Sequence, residues 1–108
     1  MAPLPANLDE FTARADEVAG MLKALGNPAR LMALCRLAAH GEMRVGDLAE
    51  LVGLSQSALS QHLAKMREEN LVSFRREGQS LFYSVADPRC ETLLGTLYEL
   101  YCPEETKR

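Results

Sequence analysis

In residues 53–66, "GLSQSALSQHLAKM", apolar side chains recur at Leu59, Leu63 and Met66, the i, i+4, i+7 stripe of an amphipathic helix. The opposite face opens with Ser55, Gln56, Ser57, Ser60, Gln61 and His62, short or neutral polar side chains where Lys and Glu would be ordinary. A shorter helical segment over 45–52 precedes it, and the join between the two is restrictive. Ala49 is small where two helices would cross closely. Gly53, four positions later, supplies the positive φ of a sharp turn. Leu59, ten positions after Ala49, would plug the core beneath both helices. Helices joined in this way form a helix-turn-helix, whose second helix enters the DNA major groove with its N-terminal residues against base edges.

The rest of the chain supplies a scaffold for that pair. Phe11, Ala15, Val18, Met21, Leu22 and Leu25 predict one helix over 9–25. "GNP" breaks it, and Asn27 and Pro28 provide the N-cap and first position of a second helix ending near Gly41. The helix bearing the quoted stretch runs over 55–69, closed by Asn70 in the left-handed conformation. Residues 71–85, "LVSFRREGQSLFYSV", flank a Gly-containing turn with aromatic and β-branched residues and read as a β-hairpin. A last helix over 88–101 carries a wide apolar stripe of Leu93, Leu94, Leu97, Tyr98, Leu100 and Tyr101. The expected fold is mainly α with one β-hairpin, a winged helix-turn-helix of order α-α-α-α-β-β-α. It forms one domain over 9–102, between a flexible N-terminus (1–8) and a C-terminal tail (103–108).

A length of 108 residues suits a single domain, and 47% hydrophobic residues exclude a largely disordered chain. No apolar run approaches the ~18 residues of a membrane span, and "MAPLPANLDEF" lacks the basic-then-apolar order of a secretory signal. A cytoplasmic protein with no membrane partner is expected. Cys35, Cys90 and Cys102 are too few and too scattered for a disulfide scaffold. In a reducing cytosol they are free thiols, redox sensors or metal ligands. The net charge of −3 argues mildly against a nucleic-acid partner.

Locally the balance reverses. Between residues 55 and 85, Lys65, Arg67, Arg75 and Arg76 outweigh Glu68, Glu69 and Glu77 by one charge. Ser and Gln donate and accept short-range hydrogen bonds to base edges and phosphates. Free amides at Ser55 to Ser57 can take a phosphate without a Lys. The expected DNA-contacting set is Ser55, Gln56, Ser57, Ser60, Gln61, His62 and Lys65 on the helix, with Arg75, Arg76 and Gln79 on the hairpin. Each has a plainer role when taken alone: Ser55 as a helix cap, Arg75 and Arg76 as a solvated wing tip. His62 has no His or Cys nearby at ligand spacing and is not read as a metal ligand. With so faint a positive bias, affinity per protomer should be modest and depend on dimerisation and salt.

The segments "LKALGNPARLMALCRL", "VGDLAELVGLSQSALSQHLAKMREENLV" and "REGQSLFYSV" resemble the ArsR/SmtB family of bacterial repressors, over about residues 14–102. The resemblance implies a homodimer built from the first and last helices, reading a double-stranded, pseudo-palindromic operator and releasing it on an inducer. Neither an enzyme nor a cofactor is called for. Two metal sites common in the family are absent in their usual form. Arg44 and Gly46 stand where Cys-x-Cys thiolates would open the third helix, and "DPRCETLLGTLYELYCPEE" holds no His. The chain also departs by one extra residue between the second and third helices. Arg44 stands where a capping Ser is usual, which would weaken the third helix's start.

Cys35 in the second helix and Cys102 just past the last resemble the sulfide-responsive branch of that family, typified by BigR, SqrR and HlyU. In that branch two cysteines are bridged, through sulfur chains or a disulfide, by reactive sulfur species or oxidants, and DNA is released. The resemblance assigns redox sensing to Cys35 and Cys102. By itself Cys35, following Leu31 and Leu34, is a small core hydrophobe. Arg30 and Arg36 are candidate neighbours that would favour its thiolate, and Cys90 is a bystander. Against a structural dimer module that has lost DNA binding stand the retained Ser/Gln face and the Arg-bearing wing; two rival readings concern the thiols. One is a sensor holding a thiophilic metal such as zinc or arsenite through Cys35, Cys90 and Cys102. The other is a thiol redox enzyme, against which stands the absence of Cys-x-x-Cys and of a Cys–His pairing.

Overall fold

The computed structural model describes residues 4–106. Along them run α1 (Asp9–Ala13), α2 (Ala15–Leu25), α3 (Pro28–His40), β1 (Met43–Arg44), α4 (Val45–Val52), α5 (Gln56–Glu68), β2 (Val72–Glu77), β3 (Ser80–Val85), α6 (Pro88–Tyr101) and α7 (Pro103–Thr106). Three helix starts are set by side chains that take up orphan amides. Asn27 accepts from the Arg30 N–H with Pro28 behind it, Ser55 accepts from Ala58, and Asp87 accepts from Arg89. Arg44, at the N-cap of α4, makes no such bond and instead pairs with Asp47 at 3.4 Å.

The helix-turn-helix is α4 and α5. Gly53 closes α4 at φ 75, and the Leu54 N–H donates to the Ala49 carbonyl at 3.0 Å. Ala49 is buried, and Leu59, Leu63 and Met66 have no exposure at all. The end of α5 is equally defined: Asn70 sits at φ 63, and the Leu71 N–H reaches back to Met66 at 2.9 Å. Ala33, Leu34 and Leu37 of α3, Leu48 of α4, Val72 and Tyr83 of the sheet, and Cys90 and Leu94 of α6 complete the core.

Three features depart from the expected element order. The first helix is two, broken at Arg14, whose N–H donates to Phe11 at 3.0 Å while its carbonyl accepts from Val18 at 3.0 Å. Each piece has its own acidic first turn, Asp9 and Glu10 then Asp16 and Glu17, which favours a separate helix N-terminus. The hairpin is part of a three-stranded antiparallel sheet of order β1-β3-β2, because Met43 and Arg44 pair with Tyr83 and Phe82. Beyond Cys102, Pro103 starts α7. Residues 4–8 hold neither helix nor strand; positions 1–3 of the expected flexible segment, and 107 and 108 of the expected tail, lie outside the described residues.

The wing is β2 and β3, paired from Val72↔Val85 to Glu77↔Ser80. Gly78, at φ 61, opens its two-residue turn, as primed hairpin turns require. The Phe74 and Tyr83 rings meet at 5.4 Å, and the Arg67 guanidinium lies 4.3 Å above Phe74, tying α5 to the wing. Arg89 of α6 reaches Glu17 of α2 at 2.9 Å.

Two glycines separate backbone conformation from space, since a Cβ at either Gly53 or Gly20 meets nothing within 4 Å. Gly53→Ala places a Cβ on left-handed backbone and should cost ~1–2 kcal/mol. Gly20→Ala, inside α2, should stabilise by ~0.5–1 kcal/mol. Urea unfolding of both variants checks the opposite signs, and a Gly53→Ala midpoint at or above wild type would contradict the turn geometry.

Candidate functional site

The first turn of α5 and the face behind it are bare. Gln56, Ser57, Ser60, Gln61, Ala64 and Lys65 are all exposed, and they recur at helical spacing opposite the buried Leu59, Leu63 and Met66. Ser55 accepts the Ala58 N–H at 3.1 Å, so its oxygen serves as the helix cap while its O–H remains a donor. The first-turn amides of Gln56 and Ser57 project from the helix start, where an anion is favoured. The Gln56 amide folds back toward α4: a Cβ on Gly46 would stand 3.2 Å from its Nε2. His62 is half-buried beside the core stripe rather than on the open face.

The two wing arginines part company. Arg75 donates through Nε and Nη2 to Glu42, the Nη2 bond at 2.6 Å, and through Nη1 to Glu77 at 2.6 Å. Its guanidinium also lies 4.6 Å above the Phe82 ring. Hydrogen bonding to Arg75 lowers the Glu42 carboxyl pKa, and the two carboxylates in turn raise that of the guanidinium. The Arg76 side chain, one residue on and therefore on the other face of the strand, has no ion pair or hydrogen bond among the described residues. Gln79 is exposed in the turn. Glu42 was not legible as a wing residue: it lies 33 positions from Arg75, in the turn before β1.

The three thiols are free and differ in environment: Cys35 half-buried, Cys90 buried, Cys102 exposed at the end of α6. Arg36 does pull the Cys35 pKa down, as the sequence suggested, but burial outweighs it and the net shift is upward; Arg30 exerts no resolved influence on it. The expected activated thiolate at Cys35 is therefore corrected, because desolvation of the charged form dominates. Cys90 is pushed up to about 11, by burial first, then by the charges of Asp87, Cys35 and Glu91. Twelve residues of α6 separate Cys90 from Cys102, an axial rise of ~18 Å. Cys35 nonetheless opens onto an apolar cleft of about 340 Å³ that follows α6 past Glu91, Leu94 and Gly95 to Tyr98. Tyr98 lies one turn before Cys102 and accepts its N–H at 2.8 Å. Among the described residues, no three His, Cys, Asp or Glu side chains are assembled as a metal site. Nor is any described helix long and apolar enough to cross a membrane.

With this geometry in view, the similarities to known proteins are specific. The family profile described as "Bacterial regulatory protein, arsR family" matches residues 27–73. Nodulation protein NolR of Rhizobium meliloti is 48% identical over 101 residues, spanning 94% of this chain and 80% of that protein. The solved structure of reduced HlyU from Vibrio cholerae superposes with a TM-score of 0.80 at 40% identity, covering 88% of this chain and 99% of that one. That of the transcriptional repressor BigR from Xylella fastidiosa gives 0.82 at 38% identity, with 89% and 97% covered. The fold shared with these structures is the winged helix-turn-helix.

The thiol environments give an ordered expectation. At neutral pH iodoacetamide should label Cys102 first, Cys35 more slowly, and Cys90 only on unfolding, as read by peptide mass mapping. The raised Cys90 pKa means that the neutral thiol favours the fold. Its contribution is full below the ordinary value of 9.0 and is lost as pH climbs toward about 11. The urea midpoint should fall across that window, and Cys90→Ala should flatten the fall. Early labelling of Cys90 in the folded protein would contradict its placement.

Proposed function

This chain belongs to the arsR family of bacterial regulatory proteins, DNA-binding transcriptional regulators rather than enzymes, and from that premise we propose a cytoplasmic thiol-switched regulator. It binds a pseudo-palindromic operator as a homodimer and releases it when Cys35 and Cys102 are bridged. The observation that carries the switch is the cleft running from Cys35 along α6 to Tyr98, one turn short of Cys102. The last turn of a helix leaves carbonyls unsatisfied and frays readily. Loosening after Tyr98 would let Cys102 swing into the same groove. A similar structure, that of HlyU from Vibrio cholerae, is described as the reduced form, which fits a redox-responsive regulator.

The bridging step balances with a hydropersulfide as inducer. RSSH transfers its outer sulfur to the exposed Cys102, giving Cys102–S–SH and RSH. The Cys35 thiolate then attacks the inner sulfur and expels hydrosulfide, leaving Cys35–S–S–Cys102. Dimerisation is supported by apolar side chains left open on α1, α2 and α6: Phe11 is 56% exposed, Leu22 53%, Leu100 56% and Tyr101 82%. On the DNA side Ser57, Ser60, Gln61 and Lys65 present the helix face with Ser55 and Gln56 at its start, His62 borders it, and Arg75, Arg76 and Gln79 line the wing. Because the chain resembles both a protein called a repressor and one called a transcriptional activator, it acts as a direct repressor or by displacing one.

The test is fluorescence anisotropy of the reduced, metal-free protein on duplex DNA from upstream of its own gene. It is repeated after polysulfide, after peroxide and after zinc. Polysulfide should weaken binding at least tenfold, about 1.4 kcal/mol of coupling, and Cys35→Ser or Cys102→Ser should each abolish the response. Unchanged binding after polysulfide, with release by zinc, would replace this reading with metal sensing.

A further inference from the structure

The Arg75 cluster is an unusual use of a wing cation. The guanidinium presents the edge formed by Nε and Nη2 to both oxygens of Glu42, the same two-point geometry with which Arg grips a phosphate. Its Nη1 is held by Glu77, and Phe82 backs the plane. The trio carries a net charge of −1, and all three side chains are open to water, at 51% for Arg75, 40% for Glu42 and 68% for Glu77. A phosphate gripped by this guanidinium would have to displace carboxylate oxygens already bonded to it. Solvent-exposed pairs of this kind are individually weak and screened by salt, so they exchange readily.

We propose that Glu42 and Glu77 occupy Arg75 in the DNA-free protein in place of phosphate, so that the wing engages DNA by exchanging carboxylate for phosphate. Arg76, unpaired on the opposite face of the strand, needs no such exchange. Glu42 is then a residue outside the DNA contact that sets how tightly a duplex is held. Both carboxylates are insensitive to base sequence, so the restraint falls on every duplex alike and suppresses weak binding to the wrong site. This rests on the DNA-binding reading and is independent of the thiol switch.

The test uses the full-length reduced protein and two labelled duplexes of equal length, one from upstream of its own gene and one with that sequence scrambled. Anisotropy is followed over a series of KCl concentrations for wild type, Glu42→Gln, Arg75→Ala and the double variant, each checked by thermal melting. Glu42→Gln should tighten both complexes by roughly threefold, because Arg75 no longer has to give up a carboxylate, while Arg75→Ala should flatten the dependence of log K on log salt by about 0.9 per protomer, the loss of one phosphate contact. In the Arg75→Ala background, Glu42→Gln should no longer tighten binding. If Glu42→Gln leaves binding unchanged or weakens it, the pair is a structural clamp and the proposal is overturned. The same follows if the tightening survives without Arg75. A wild type that binds neither duplex removes the DNA-binding premise itself, an outcome visible before any variant is compared.

Discussion

The interaction on which the rest depends is the burial of Leu59, Leu63 and Met66 along one side of α5. These three side chains fix the helix's rotation about its own axis, and therefore fix what the other side shows. With the apolar stripe committed to the core, Ser57, Ser60, Gln61 and Lys65 face outward. The neighbouring elements serve the same placement. Ala49 admits α4 closely, Gly53 turns the chain without a β-carbon on left-handed backbone, and the Arg67–Phe74 stack joins the end of α5 to the wing. A helix of the same composition with its stripe shifted by one residue would present a mixed face and read nothing.

How a chain of net charge −3 serves as a DNA-binding regulator follows from where its charges stand. The α5 face carries few charges of either sign, so approach to a base edge is limited by shape and hydrogen bonding rather than by repulsion. Much of the acidity sits elsewhere, in the first turns of α1 and α2 and around the Arg89–Glu17 and Arg89–Asp87 pairs. The wing is where the two signs meet. There one arginine is held by carboxylates and its neighbour is free, so the positive potential presented to a duplex is smaller than the arginine count suggests.

What was legible in the sequence was local. The bounds of α4, the caps at Asn27 and Ser55, the left-handed Asn70 and the hairpin turn each depend on residues within a few positions of one another, and each stood where its residue types required. What escaped was either too short or too distant. A two-residue strand such as β1 has no period to detect, and its existence depends on Tyr83 and Phe82, some forty positions away. The break at Arg14 involves no Gly or Pro, and only the doubled acidic turns hint at it. Arg75 was placed correctly on the wing, yet its binding to Glu42 is a tertiary fact. The environment of Cys35 failed for a related reason: Arg36 next to it in sequence was visible, but the burial that outweighs Arg36 is set by α6 packing across α3.

Helix α6 links these observations, because its two ends are held so differently. At its start Asp87 caps the first turn, Arg89 bonds to α2, and Cys90 is sealed in the core with its thiol kept neutral. At its far end Leu100 and Tyr101 are open and Cys102 is exposed. In the proposed switch, a helix held in the core at its start would pass a displacement of its tip on as a tilt rather than as a slide. Half-sites on DNA lie ~34–36 Å apart, so in the proposed dimer joined through α6 a small tilt on each side would be magnified at the two α5 helices. The buried Cys90 would then be the pivot, and not merely a third thiol: its burial would keep one end of the lever fixed while the proposed bridging acts at the other.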